Sequence, residues 1–115
     1  MSNEDRDSPL LSVTMEDSHS LRAAHMPFIV NGGLFIPTPR PYSLGEEVFV
    51  LLRLMQDPRG LPLAGRVVWI TPSGALGGKP PGIGVQFGDH DDVVRGRIAA
   101  CLADHPDETG ETYTL

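Results

Sequence analysis

The alternation of apolar and polar positions is clearest from Glu47 to Leu54. There Val48, Val50, Leu52 and Leu54 point one way, and Phe49, Leu51 and Arg53 the other. Both faces are largely apolar, which predicts a central strand covered on one side by a helix or a second sheet. Asp57-Pro58-Arg59-Gly60 carries turn chemistry: Asp first, Pro with φ preset second, Gly fourth. The run from Leu63 to Ile70 then completes a hairpin. Its pattern puts Leu63, Val67 and Trp69 on one face, and Ala64, Arg66, Val68 and Ile70 on the other. Gly82 to Phe87 returns as a strand with Ile83, Val85 and Phe87 inward. Leu10 to Met15 alternates weakly and suits a first strand, and Phe28-Ile29-Val30 reads as a short extended segment. Leu34-Phe35-Ile36 reads as a short buried strand whose ladder ends at Pro37.

Two segments carry helical signals. Glu16 to Ser20 can cap a turn running through Leu21 to His25, stopped by Pro27. Asp89-His90-Asp91-Asp92 supplies a cap and first-turn acids for a longer helix. Along that helix Val94, Ile98, Cys101 and Leu102 form an apolar stripe, and Pro106 prevents continuation. Arg95 and Arg97 fall on its solvent side. Thr71 to Pro81 is too rich in Pro and Gly for a regular element. The chain is organised around Asn31-Gly32-Gly33, where paired glycines permit positive φ or a close backbone approach. The stiff corner at Pro37, Pro39 and Pro41 follows, before Leu44-Gly45 turns into the clearest strand.

The chain has 115 residues, 40% of them apolar, enough for one domain with a core and no staples. A lone Cys101 excludes an internal disulfide framework and fits a reducing compartment. The polar, acidic start is unlike a signal peptide, and no apolar run approaches the ~20 residues that span a bilayer. A soluble, cytoplasmic monomer is the expectation. The net charge of −6 sits at the ends: residues 1–8 and 104–115 are acidic, while the body is neutral. This predicts a disordered acidic tail over 1–8, a folded domain over 9–105 and an acidic tail over 106–115. Nucleic acid is disfavoured as a partner, because its binding rests on clustered Lys and Arg.

Gly74 to Lys79 suggests a phosphate-cradling loop, but Ser73 and Pro80 stand where that loop needs Gly and Ser or Thr. His19 and His25, and His90 beside Asp91 and Asp92, lack metal-site spacing. Cys101 on the apolar stripe reads as a small hydrophobe. No cluster combines a nucleophile with a general acid and base, so catalytic, metal and cofactor residues are all expected to be none.

Gly32-Gly33-Leu34-Phe35-Ile36-Pro37-Thr38-Pro39, then Leu44-Gly45-Glu46-Glu47-Val48, Ala64 to Trp69, and Gly82 to Phe87 resemble the PilZ domain. They are most similar to its single-domain type IV fimbrial assembly branch. The resemblance implies an antiparallel six-stranded β-barrel with a C-terminal α-helix packed on it. Many members bind cyclic di-GMP through Arg-x-x-x-Arg and Asp/Asn-x-Ser-x-x-Gly. Gly33 matches the last glycine, but Phe28 and Val30 replace the acid or amide and the Ser, and no Arg-x-x-x-Arg exists. The implied role is a non-enzymatic adaptor in pilus biogenesis and twitching motility. Its implied partners are the pilus assembly ATPase and a GGDEF/EAL-domain cyclic di-GMP effector. The alternative, a direct cyclic di-GMP receptor, requires Arg22 and Arg40 to assemble a site from separate segments. Candidate contact residues are Tyr113 and Leu115, which either fold back onto the domain or meet a partner. Leu21, Met26 and Phe28, as core or as contact surface, and Leu76 beside Ala75 complete the set.

Overall fold

The computed structural model describes residues 10–55, 57, 59–74 and 76–103. Strand β1 (Leu10–Met15) is followed by helix α1 (Ser18–Ala24), then β2 (Gly33–Pro37), β3 (Glu47–Leu54) and β4 (Leu61–Thr71). A single 3₁₀ turn at Leu76–Gly78 precedes β5 (Gly82–Gln86) and helix α2 (Asp92–Ala103). The five strands run in the order β1-β3-β4-β5-β2 and curl into a half-barrel, with β1 and β2 at opposite ends.

Three expectations change here. Among the described residues there are five strands, not six, because Phe28-Ile29-Val30 is turn. Ile29 N–H donates to Met26 O (3.2 Å) and Gly32 N–H to Ile29 O (2.7 Å), so two successive turns take up that segment. Second, the sheet is mixed: β1 lies parallel to β3, with Leu10 opposite Phe49 and Met15 opposite Leu54. Parallel neighbours need a long crossover, and residues 16–46, carrying α1 and β2, provide it. Third, the loop after β4 contains the 3₁₀ turn.

The hairpin of β3 and β4 and the antiparallel pairs of β5 with β4 and β2 follow the expected local pattern. Val48, Val50, Leu52 and Leu54 are buried as the alternation requires. A register shift at Val68 breaks the phase of β4: Val67 faces Val85, whereas Trp69 faces Gly84. Paired residues share a face and consecutive residues alternate. Val67 and Trp69 therefore lie on opposite faces, not on one. The Trp69 indole N–H donates to Thr71 Oγ1 (2.7 Å).

Asp17 caps α1, its carboxylate accepting from Ser20 N–H at 2.7 Å. Helix α2 buries Val94 and Ile98, with Cys101 and Leu102 half-buried beside them. Arg22 of α1 donates to Leu102 O at 2.8 Å, joining the two helices. Leu21, Met26, Phe35, Phe87 and the inward strand residues form one contiguous core. No helix among the described residues is long and apolar enough to cross a membrane.

Arg97 is not a solvated residue. Its guanidinium binds the Asp57 carboxylate, which also accepts from the Arg59 backbone N–H (3.0 Å) and side chain (3.0 and 3.1 Å). One turn carboxylate thus ties the β3–β4 hairpin to α2. These bonds, from Arg59 first and then Arg97, hold the Asp57 carboxyl well below the usual carboxylate range. A carboxyl lowered on folding stabilises fully above its unfolded pKa of about 3.9 and loses that contribution as pH falls further. Asp57→Asn is therefore expected to lower the urea midpoint equally at pH 7 and pH 5. The gap from wild type should narrow at pH 3, and a constant gap across all three would show that charge is not its source.

Candidate functional site

The site that the sequence emphasises is the double turn over residues 26–32 and the strand it enters. Asn31 and Gly32 both have positive φ, 69° and 80°. Asn tolerates this conformation better than other side-chain-bearing residues, and Gly adopts it without a steric penalty. Gly33 serves a different need: a Cβ there would sit 2.9 Å from Val85 O, so the β2–β5 approach requires its absence.

Side chains from three elements hold the turn. Asn31 Nδ2 donates to Asp89 Oδ1 (2.9 Å), and Gln86 Nε2 donates to Val30 O (3.0 Å). Phe87 N–H donates to Gly32 O (2.9 Å), and Met26 N–H to Gly33 O (3.0 Å). Arg95, expected on the solvent side of α2, instead reaches back. It donates to Asn31 O of the turn (3.5 Å) and to Gly88 O (2.8 Å), and is salt-bridged to Asp92. The Asp91 carboxylate accepts from Gly88 N–H (2.8 Å) at the start of the helix.

This scaffold presents Phe28 and Val30 outward. Val30 is 76% exposed and Phe28 46% exposed. The Phe28 ring meets Trp69 edge to face, with centroids 6.3 Å apart. Leu21 and Met26 are fully buried. They are core, so of the candidates Leu21, Met26 and Phe28 it is Phe28 that reaches the surface. Leu76 lies in the 3₁₀ turn. Tyr113 and Leu115, and the two predicted tails, lie outside the described residues.

Beside the turn opens a cleft of about 330 Å³ lined by Asn31, Glu47, Arg66, Gln86 and Asp89, among others. Its charged groups are two carboxylates and one guanidinium, a poor match for a ligand carrying two phosphates. Arg22 is committed to the end of α2, and Arg40 lies in the loop after β2, where its N–H donates to Thr38 Oγ1 (3.1 Å). Neither arginine lines the cleft. A second hollow, of about 220 Å³, is lined by His25, Gly32, Phe87, Arg95 and Ile98. Burial there, and then the charge of Arg22, push the His25 imidazole below its ordinary pKa. Among the described residues no three His, Cys, Asp or Glu side chains gather to hold a metal.

Sequence reasoning missed the left-handed Asn31, although Asn-Gly is a recognised turn signal. It also missed Arg95 as a brace, for which no local signal exists. The PilZ domain family model matches residues 3–104. No curated protein matches the chain. PilZ domains are generally non-enzymatic domains that bind cyclic di-GMP or act as adaptors. With a curled sheet of five strands, a C-terminal helix and a family match over most of its length, the chain belongs to the PilZ domain family.

Proposed function

We propose that this chain is a non-enzymatic, cytoplasmic adaptor in type IV pilus biogenesis and twitching motility. It does not itself bind cyclic di-GMP and works through protein contacts with the pilus assembly ATPase and a GGDEF/EAL-domain regulator. One observation carries the reading: the ligand-motif positions hold Phe28 and Val30, whose apolar side chains project from a braced turn. Buried phosphates require paired, charge-assisted donors. The chain contains no Arg-x-x-x-Arg to provide them, and the neighbouring cleft carries more carboxylates than guanidiniums. Exposed aromatic and aliphatic groups on a rigid support suit a protein interface instead.

Isothermal calorimetry of the full chain with cyclic di-GMP is expected to show no binding heat. Low-micromolar binding would make the chain a direct receptor and sink the adaptor reading. The same titration with purified pilus assembly ATPase, comparing wild type with Phe28→Ser, is expected to show binding that the substitution weakens.

A further inference from the structure

On the outer face of the half-barrel lies an apolar groove of about 380 Å³, lined by Leu10 of β1, Phe49 and Leu51 of β3, and Pro62 and Ala64 of β4. The register explains its continuity. Phe49 pairs with Leu10 on one side and Ala64 on the other, and Leu51 pairs with Pro62, so the apolar groups form two adjacent rows. Leu10 is 50% exposed and Phe49 42% exposed. Alternation puts Glu47 and Arg53 on this same face of β3, so its outward residues read Glu47, Phe49, Leu51, Arg53. A carboxylate stands at one end of the apolar pair and a guanidinium at the other. Neither makes an ion pair among the described residues. Arg66 of β4 is the cross-strand neighbour of Glu47.

That order is self-complementary. Consider two copies packed face to face on a two-fold axis that runs across the strands at the level of Val50. Their β3 strands then lie antiparallel, one above the other. Phe49 of each copy covers Leu51 of the other, and Glu47 of each meets Arg53 of the other. The β4 residues obey the same symmetry, because Val50 pairs with Leu63: Pro62 of one copy lies over Ala64 of the other. A two-fold axis along the strands would instead stack Glu47 on Glu47 and Arg53 on Arg53, so the charges select the first arrangement. Sheet twist turns packed sheets by about 30°, which moves residues three places from the axis sideways by about 5 Å. A side chain as long as that of arginine covers this distance. We propose that the chain forms a two-fold symmetric dimer through the outer face of β1, β3 and β4, where sequence alone led to a monomer. Two apolar residues on each central strand make a small contact, so the dimer is reversible and concentration-dependent. None of the groove-lining residues belongs to the braced turn, so the dimer and the adaptor reading stand or fall separately.

Sedimentation equilibrium of the full chain over a range of concentrations tests the proposal. Wild type is expected to show a monomer–dimer equilibrium. Arg53→Glu and Glu47→Lys each set like charges across the interface twice, and each is expected to weaken self-association about tenfold or more. An equimolar mixture of the two variants is expected to restore the dimer to near wild-type affinity, because every acid then meets a base on the opposite copy. Phe49→Ser keeps both charges but removes the apolar centre, and weakens association by a similar factor. A wild type that stays monomeric at every concentration overturns the proposal, whether residues 1–9, residues 104–115 or nothing covers the groove. So does a dimer that tolerates both charge reversals or Phe49→Ser, since its interface lies elsewhere. A mixture that associates no better than its components excludes the antiparallel two-fold and overturns the proposal as well.

Discussion

Replacing Phe35 with alanine is expected to destabilise the domain by about 3–5 kcal/mol, the usual cost of emptying a buried aromatic position. Phe35 is fully buried at the centre of β2. Gly82 of β5 makes room for it. A Cβ on Gly82 would lie 2.6 Å from Phe35 Cζ, and Gly84 stands directly opposite Phe35 in the β2–β5 ladder. The ring fills the space beside Gly82, while Met26 and the Trp69 Cβ fill that beside Gly84. Domains of this size are stable by about 5–15 kcal/mol in all, so the variant should fall close to the folding threshold. Urea denaturation checks this through a large drop in midpoint with an unchanged slope. A loss under about 1 kcal/mol, typical of a surface substitution, would mean that the ring is not the sole filler.

The second large effect is expected at Gly65. Its neighbours Leu63 and Val67 are buried on the inner face of β4, and Gly65 continues that row without a side chain. A Cβ there would run into the Val85 Cγ1 methyl and stand 2.6 Å from Gln86 O. The methyl belongs to a core residue and the oxygen to the backbone of the adjacent strand, so neither yields easily. Gly65→Val should cost about 3 kcal/mol, at the upper end for overpacking, by forcing β4 away from β5. Thermal melts of variant and wild type measure it. A midpoint close to wild type would show that the sheet flattens without penalty at this point.

The parts of this fold that were legible in sequence are those with local causes. The β3–β4 hairpin announces itself in alternation plus Asp57-Pro58-Arg59-Gly60, and α2 in its apolar stripe and leading acids. Trp69 was misplaced because one extra residue, Val68, inverts the phase of everything after it. Alternation counted along one strand cannot register an insertion that exists only relative to its partner. Phe28-Ile29-Val30 misled for another reason: a three-residue apolar run reads alike in a strand and in a turn, and the hydrogen bonds decide. The site divides in the same way. The close approach at Gly33 and the apolar replacements at Phe28 and Val30 were readable from residue types. The braces from Gln86, Asp89 and Arg95 come from segments more than fifty residues away in the chain, and nothing local foretells them.

The placement of β1 and β2 at the two edges of the sheet has a kinetic consequence. Strands β3 and β4 meet through a short turn. Both edge strands, by contrast, dock across long loops: β1 on β3, with Leu10 opposite Phe49, and β2 on β5, with Gly33 opposite Gln86. Pairings that close long loops form late, since the entropy of closure precedes the contacts that offset it. The two edges of the sheet therefore zip into place after the β3–β4 hairpin and peel away before it. Amide exchange should be faster in β1 and β2 than in β3 and β4.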